Sequence, residues 1–171
     1  MSTFFILLFN LDNFFYYQPF YYAVFLPIIY WAGNFSLWAV AIVQALLGGA
    51  TTFLTGLCGK ELFGRIAGVI AAFFTAISTP LLLYAPFHQN ETLQCFNLVL
   101  LFFLLLKALK KKNILLWSGV GLTAGIAVLT RGNILLFMPL LLLAIFLMKG
   151  VSLKRKGISS AVMLLVFLAL F

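Results

Sequence analysis

The stretch Pro86-Phe87-His88-Gln89-Asn90-Glu91-Thr92-Leu93 decides how the chain is read. It packs His, Gln, Asn and Glu into four consecutive positions between the apolar runs 66–85 and 93–106. The helices read from those runs, 66–83 and 91–109, approach the roughly 20 residues that a helix needs to cross a bilayer. Two such helices joined by a short polar loop form a hairpin in a membrane, with the loop at one face. Glu91 then stands where the second helix meets water.

Composition extends that reading to the whole chain. The 171 residues are 65% hydrophobic and 8% charged, and the mean hydropathy is +1.19. A soluble domain of this size has too little interior for so many apolar side chains, whereas lipid can solvate their outward faces. The runs are continuous, not alternating, which points to helices and away from a barrel. The expected fold is therefore all-α: a polytopic transmembrane helix bundle of about six spans plus an N-terminal interfacial helix.

Taken in order, residues 1–9 are apolar but too short to span, and they lack the basic start and small-residue cleavage site of a signal peptide. Tyr16, Tyr17, Gln18, Tyr21 and Tyr22 flank Pro19. Tyrosine suits the membrane–water boundary, and proline suits a first helical turn. A short interfacial helix is predicted over 19–31, stopped by Gly33-Asn34. Spans are predicted at 35–57, 66–83, 91–109, 114–130, 134–148 and 157–171, with a polar turn at 59–65. The chain thus reads as one membrane domain, 1–171, divided into an external or interfacial segment (1–34) and transmembrane helices (35–171).

Charge orients this arrangement. Lys60, Arg65, Lys107, Lys110, Lys111, Lys112, Lys149, Lys154, Arg155 and Lys156 fall on one face, ten of the eleven basic residues. That face is expected to be cytoplasmic in a multi-pass protein of the bacterial plasma membrane. The net charge of +8 comes from these loop clusters, so nucleic acid is not an expected partner. Asp12, His88, Glu91 and Arg131 fall on the other, external face.

Glu91 and Arg131 are the leading site candidates, because charges at the ends of spans face a partner or a cavity. Glu91 fits a helix N-terminal carboxylate favoured by the helix dipole, and equally a base, metal ligand or substrate clamp. Arg131 fits a helix C-terminal cation or an anion-binding fork. His88 and Gln89 are substrate-side loop candidates, and Tyr17, Gln18 and Tyr22 would line the rim. Asp12 reads as a second catalytic carboxylate or as a turn residue beside Asn10 and Asn13. Gly121 and Gly125 form a GxxxG, read as close helix packing. Asn34-Phe35-Ser36 and Asn90-Glu91-Thr92 match the glycosylation sequon. Cys58 and Cys95 fall near opposite faces, too far apart for a disulfide. No residue pattern demands a cofactor; a divalent metal on Glu91 stays open.

Several of these motifs occur together in a known group. Tyr17-Gln18-Pro19-Phe20-Tyr21-Tyr22, Val43 to Gly48, Gly59 to Arg65, Ser78-Thr79-Pro80, Asn90-Glu91-Thr92-Leu93, and Gly121 to Gly125 through Leu129-Thr130-Arg131 resemble, in order, GT-C glycosyltransferases. More closely, they resemble the protein O-mannosyltransferase-like, RgtA/B/C/D-like group. That resemblance implies transfer of a sugar from a polyprenyl-phosphate-linked donor to a lipid, glycan or protein acceptor at the external face. It implies Glu91 on the acceptor side and Arg131 at the donor phosphate. It also implies that the chain is an N- and C-terminally truncated part of a longer GT-C fold. Two other classes compete. One is an inactive fragment or non-enzymatic membrane subunit, which predicts Glu91 and Arg131 apart, or no carboxylate besides Glu91 near the cavity. The other is a small transporter, which predicts broken spans with polar residues at mid-membrane and internal repeats; here the polar residues are expected to cluster at the helix ends.

Overall fold

The computed structural model describes residues 18–78, 90–111, 113–147 and 153–170, and every regular element among them is helical. The helices are α1 (Tyr21–Ala32), α2 (Leu37–Phe63), α3 (Arg65–Ala76), α4 (Glu91–Lys111), α5 (Ile114–Thr130), α6 (Gly132–Phe146) and α7 (Leu153–Leu168). The predicted all-α membrane helix bundle is therefore the fold. Two of the helices, α2 and α4, are individually long and apolar enough to cross a membrane; the remaining five are shorter apolar helices.

Local sequence explains most boundaries. In α1, Tyr21–Phe25 is π-helical before the chain settles into α-helix over Leu26–Ala32. The helix stops at Gly33, and Asn34 and Phe35 turn the chain with φ of 51° and 60°. This is the stop expected from Gly33-Asn34. The polar turn expected over 59–65 is instead almost entirely helical, because α2 continues to Phe63. Lys60, Glu61 and Leu62 are good helix formers, and a lysine suits a helix C-terminus. The break falls on Gly64 alone, at φ 94° and ψ 178°, where only glycine escapes a side-chain clash.

Asn113 caps α5, its side-chain oxygen accepting from the Leu115 amide at 3.0 Å. The helix predicted from residue 134 begins differently. Gly132–Phe137 is a 3-10 run, and α-helix starts at Met138. Pro139 has no amide hydrogen to donate one turn back, so the preceding turn tightens and Met138 donates to the Leu135 carbonyl.

The bundle is organised around α5. Trp117, Val120, Ala124, Ala127 and Val128 of this helix are buried with Leu101 and Ala108 of α4, Ile134, Met138, Leu141 and Ile145 of α6, and Met163 and Phe167 of α7. A smaller cluster seats α1 on the bundle through Tyr21, Leu26, Ile29, Val40 and Leu93. Lipid is as apolar as these side chains, so helix pairing depends on close backbone approach. Gly121 of the predicted GxxxG lies against the Met163 backbone of α7, as that motif implies. A second close approach joins α2 to α3, where a Cβ on Gly68 would stand 2.6 Å from the Gly56 carbonyl.

Apolar side chains also cover the outside. Trp38, Phe53, Phe63, Ile66, Phe73, Leu115 and Leu136 are all exposed. So wide a greasy surface is untenable in water and is what lipid requires. Cys58 is buried and Cys95 exposed, and both are free thiols.

Candidate functional site at the Glu91 end

The ends of the bundle differ in charge. At one end Glu61, near the C-terminus of α2, meets Lys110 and Lys107 near the C-terminus of α4. Lys110 also donates to the Glu61 carbonyl at 2.8 Å. These contacts show that α2 and α4 run side by side in the same direction. The opposite end of α4 carries Glu91, one residue after Asn90.

Asn90 fastens this end. Its side chain is 2% exposed, and its Nδ2 donates to the Thr130 carbonyl at 3.2 Å. Thr130 is the last residue of α5, so the bond satisfies a carbonyl left open by the end of that helix. The Thr130 hydroxyl turns back to the Ile126 carbonyl at 2.7 Å. Burial removes Asn90 from the sequon reading, since a glycan cannot be attached to a side chain packed between two helices.

The fastening brings the two leading candidates together. Arg131 leaves α5 in extended backbone, φ −157° and ψ 108°. Its Nη1 stands 3.9 Å from Glu91 Oε1, with the side chains 48% and 34% exposed. The separation is that of an ion pair without a hydrogen bond. Pairs this open contribute only about 0–1 kcal/mol of stability. Arg131 therefore keeps most of its planar fork of donors for another anion. Glu91 Oε2 is buried and accepts no hydrogen bond.

The aromatic helix α1 forms the neighbouring wall. Tyr21 is fully buried, and its hydroxyl accepts from Gln44 Nε2 of α2 at 2.8 Å. It stacks on Phe25 at 5.4 Å and meets the edge of Tyr22 at 5.1 Å. Burial and the neighbouring Glu91 carboxylate both push the Tyr22 phenol above its ordinary value, so it stays a neutral hydroxyl. Gln18 lies just before the same helix, and its carbonyl accepts from the Tyr22 amide at 3.3 Å.

Of the residues singled out from sequence, Glu91, Arg131 and Tyr22 thus gather at one end, with Gln18 one turn before Tyr22. Asp12, Tyr17, His88 and Gln89 lie outside the described residues. Among the described residues, no three His, Cys, Asp or Glu side chains come together, and Glu91 is the acidic group at this end.

One expectation is overturned. Polar residues do not keep to the helix ends. Gln44 and Thr51 are buried along α2, and Thr92, Gln94 and Asn97 along α4. Both amide atoms of Gln94, Nδ2 of Asn97 and the Thr92 hydroxyl lack any hydrogen-bond partner. Each such group costs about 1–3 kcal/mol if nothing meets it. The sequence did hold a signal: Glu91, Gln94 and Asn97 recur every third residue through an otherwise apolar helix, which a helix gathers along one side.

Comparison with known families supports the GT-C-like class of membrane transferases. A family model described as dolichyl-phosphate-mannose-protein mannosyltransferase matches residues 17–171. The chain belongs to that family, and membership implies membrane glycosyltransferase activity in general terms. No curated protein and no solved structure matches the chain.

Proposed function

We propose that this protein transfers a sugar from a polyprenyl-phosphate-linked donor to a hydroxyl of a lipid, glycan or protein acceptor at the external membrane face. The observation that carries the reading is the Glu91–Arg131 pair, 3.9 Å apart at the end of the bundle opposite the Glu61–Lys110 contact. The positive-inside rule puts the lysine-rich end in the cytoplasm of a multi-pass protein, and the pair on the outer side. A lipid-linked donor can reach such a site laterally.

The chemistry is balanced by the two charged groups. The bond between the sugar's anomeric carbon and the donor phosphate oxygen breaks, and its electrons leave with the phosphate. Arg131 offsets the charge that develops there. The acceptor oxygen forms the new bond to the anomeric carbon, and its proton passes to Glu91. A positioned base of this kind contributes about 10²–10⁴-fold. Glu91 could also act as a substrate clamp or metal ligand, and Asp12, His88, Gln89 and Tyr17 remain proposed contributors. Tyr22 and Gln18 would border the entrance. The inactive-fragment reading predicts either the two charged residues apart or no carboxylate besides Glu91 near the cavity; the juxtaposition speaks for the enzyme, while among the described residues Glu91 is the carboxylate at this end.

Sugar transfer by purified protein in liposomes tests the reading, with wild type compared against Glu91→Gln and Arg131→Ala. Loss of about 10²-fold or more in both variants, with unchanged melting temperature, is expected. Transfer that survives both substitutions would put the chemistry elsewhere, and inactive wild type would favour a non-enzymatic subunit.

A further inference from the structure

Below the charged pair, α4 carries two amides with nothing to bind. Gln94 and Asn97 are each 5% exposed. Neither Nε2 nor Oε1 of Gln94 has a hydrogen-bond partner, and neither does Nδ2 of Asn97. The two residues share the side of α4 that carries Asn90, Leu101 and Ala108, all buried. Further along that side the contact is apolar and complete, with Leu101 and Ala108 in the main core. On α4 the unmet donors and acceptors are thus confined to the turns nearest Glu91; elsewhere in the main core the Trp117 Nε1 of α5 is also unmet. Simple helix packing would fill those turns with leucine, as it does lower down. A polar side chain left unmet inside a membrane bundle marks a functional position.

The chemistry of the side chains narrows the ligand. Amides are neutral, so by themselves they supply no charge to offset a phosphate or a metal cation, and the charged pair lies nearer the helix end. A carboxamide gives a donor and an acceptor side by side. That pairing matches sugar hydroxyls, each of which both donates and accepts. Gln94 and Asn97 lie about 4.5 and 9 Å along the helix axis from Glu91, so Gln94 is within a ring's breadth of the charged pair and Asn97 is one turn deeper. We infer that Gln94 and Asn97 form a subsite for the ring hydroxyls of the sugar carried by the donor lipid, while Arg131 holds its phosphate. This inference rests on the glycosyl-transfer reading given above.

Entry to the subsite is from the Glu91 end. There α4 is held to α5 by the Asn90–Thr130 bond at 3.2 Å. The chain beyond it is the 3-10 run Gly132–Phe137, whose hydrogen-bond geometry is weaker than that of an α-helix. A ring admitted beside this fastening supplies the partners that the amides lack.

Binding of two probes by the full-length protein in detergent micelles tests the subsite: a polyprenyl phosphate without sugar, and a set of polyprenyl-phosphate hexoses (mannose, glucose and galactose). Wild type is expected to prefer at least one hexose-bearing lipid. Gln94→Leu and Asn97→Leu should each weaken that lipid's binding about tenfold, leave the sugar-free lipid unaffected, and hold or raise the melting temperature. Arg131→Ala should weaken both probes. Equal loss of both probes in the leucine variants, or a lowered melting temperature with the sugar preference intact, would make the amides structural and overturn the subsite. Wild type that binds the sugar-free lipid as tightly as every hexose form also overturns it, yet leaves Arg131 at the phosphate. Wild type that binds neither probe overturns the glycosyl-transfer reading itself.

Discussion

Substituting Gly121 tests how the bundle is held together. A Cβ at this position would overlap the Met163 carbonyl oxygen and stand 3.1 and 3.2 Å from the Met163 carbonyl carbon and Cα. These are backbone atoms, so α5 and α7 must separate to admit even a methyl group. Overpacking of this kind costs about 1–3 kcal/mol, a fall of roughly 2–12 °C in melting temperature for a chain of this size. Gly119 supplies the matched control on the same helix. A Cβ there meets only Leu104 Cδ1, at 3.5 Å. Removing glycine from a helix interior gains up to about 1 kcal/mol, so Gly119→Ala should be neutral or slightly stabilising. Gly125→Ala should fall between them, because its obstacle is the movable end of the Leu170 side chain. Thermal unfolding of the three variants in one detergent, followed by circular dichroism, reads the order directly. Equal melting temperatures for Gly119→Ala and Gly121→Ala would refute close α5–α7 packing as a source of stability.

Two further substitutions probe single features of the fold. Gly64→Ala forces a side chain into backbone at φ 94° and should destabilise the α2–α3 hairpin by about 1–3 kcal/mol; an unchanged melting temperature would show that the helices tolerate another turn. Asn90→Leu leaves the Thr130 carbonyl without its donor, at a cost of about 1–3 kcal/mol. Because the Asn90 bond also sets the spacing of Glu91 and Arg131, sugar transfer should fall further than stability does. Full activity in a correctly folded Asn90→Leu protein would separate the fastening from the site.

Much of the architecture was legible in the sequence. Long apolar runs set the fold class, because their side chains need lipid as solvent. Gly33-Asn34 marked the end of α1, and 114–130 was predicted to the residue that the helix shows. Boundaries failed where a local cue was outweighed. Lys60 and Glu61 read as a polar loop, yet helix propensity and the contact of Glu61 with Lys110 carry α2 to Phe63. Pro139 sits one residue into the α-helical part of α6 and marks its start, which the apolar run from 134 does not reveal.

The pairing of Glu91 with Arg131 needed the tertiary structure. The sequence could put both residues at helix ends on one face from charge bias and span count, which are local or additive properties of the chain. Whether they lie 3.9 Å apart or on opposite sides of the bundle depends on how α4 and α5 are turned about their axes, and that is decided by packing. Asn90 reaching the Thr130 carbonyl sets this rotation at one end, and α5 buried against α4, α6 and α7 sets it along the length. The same rotation buries Gln94 and Asn97. Periodicity shows that polar residues share one side of a helix; only the neighbouring helices determine whether that side faces lipid, water or the interior.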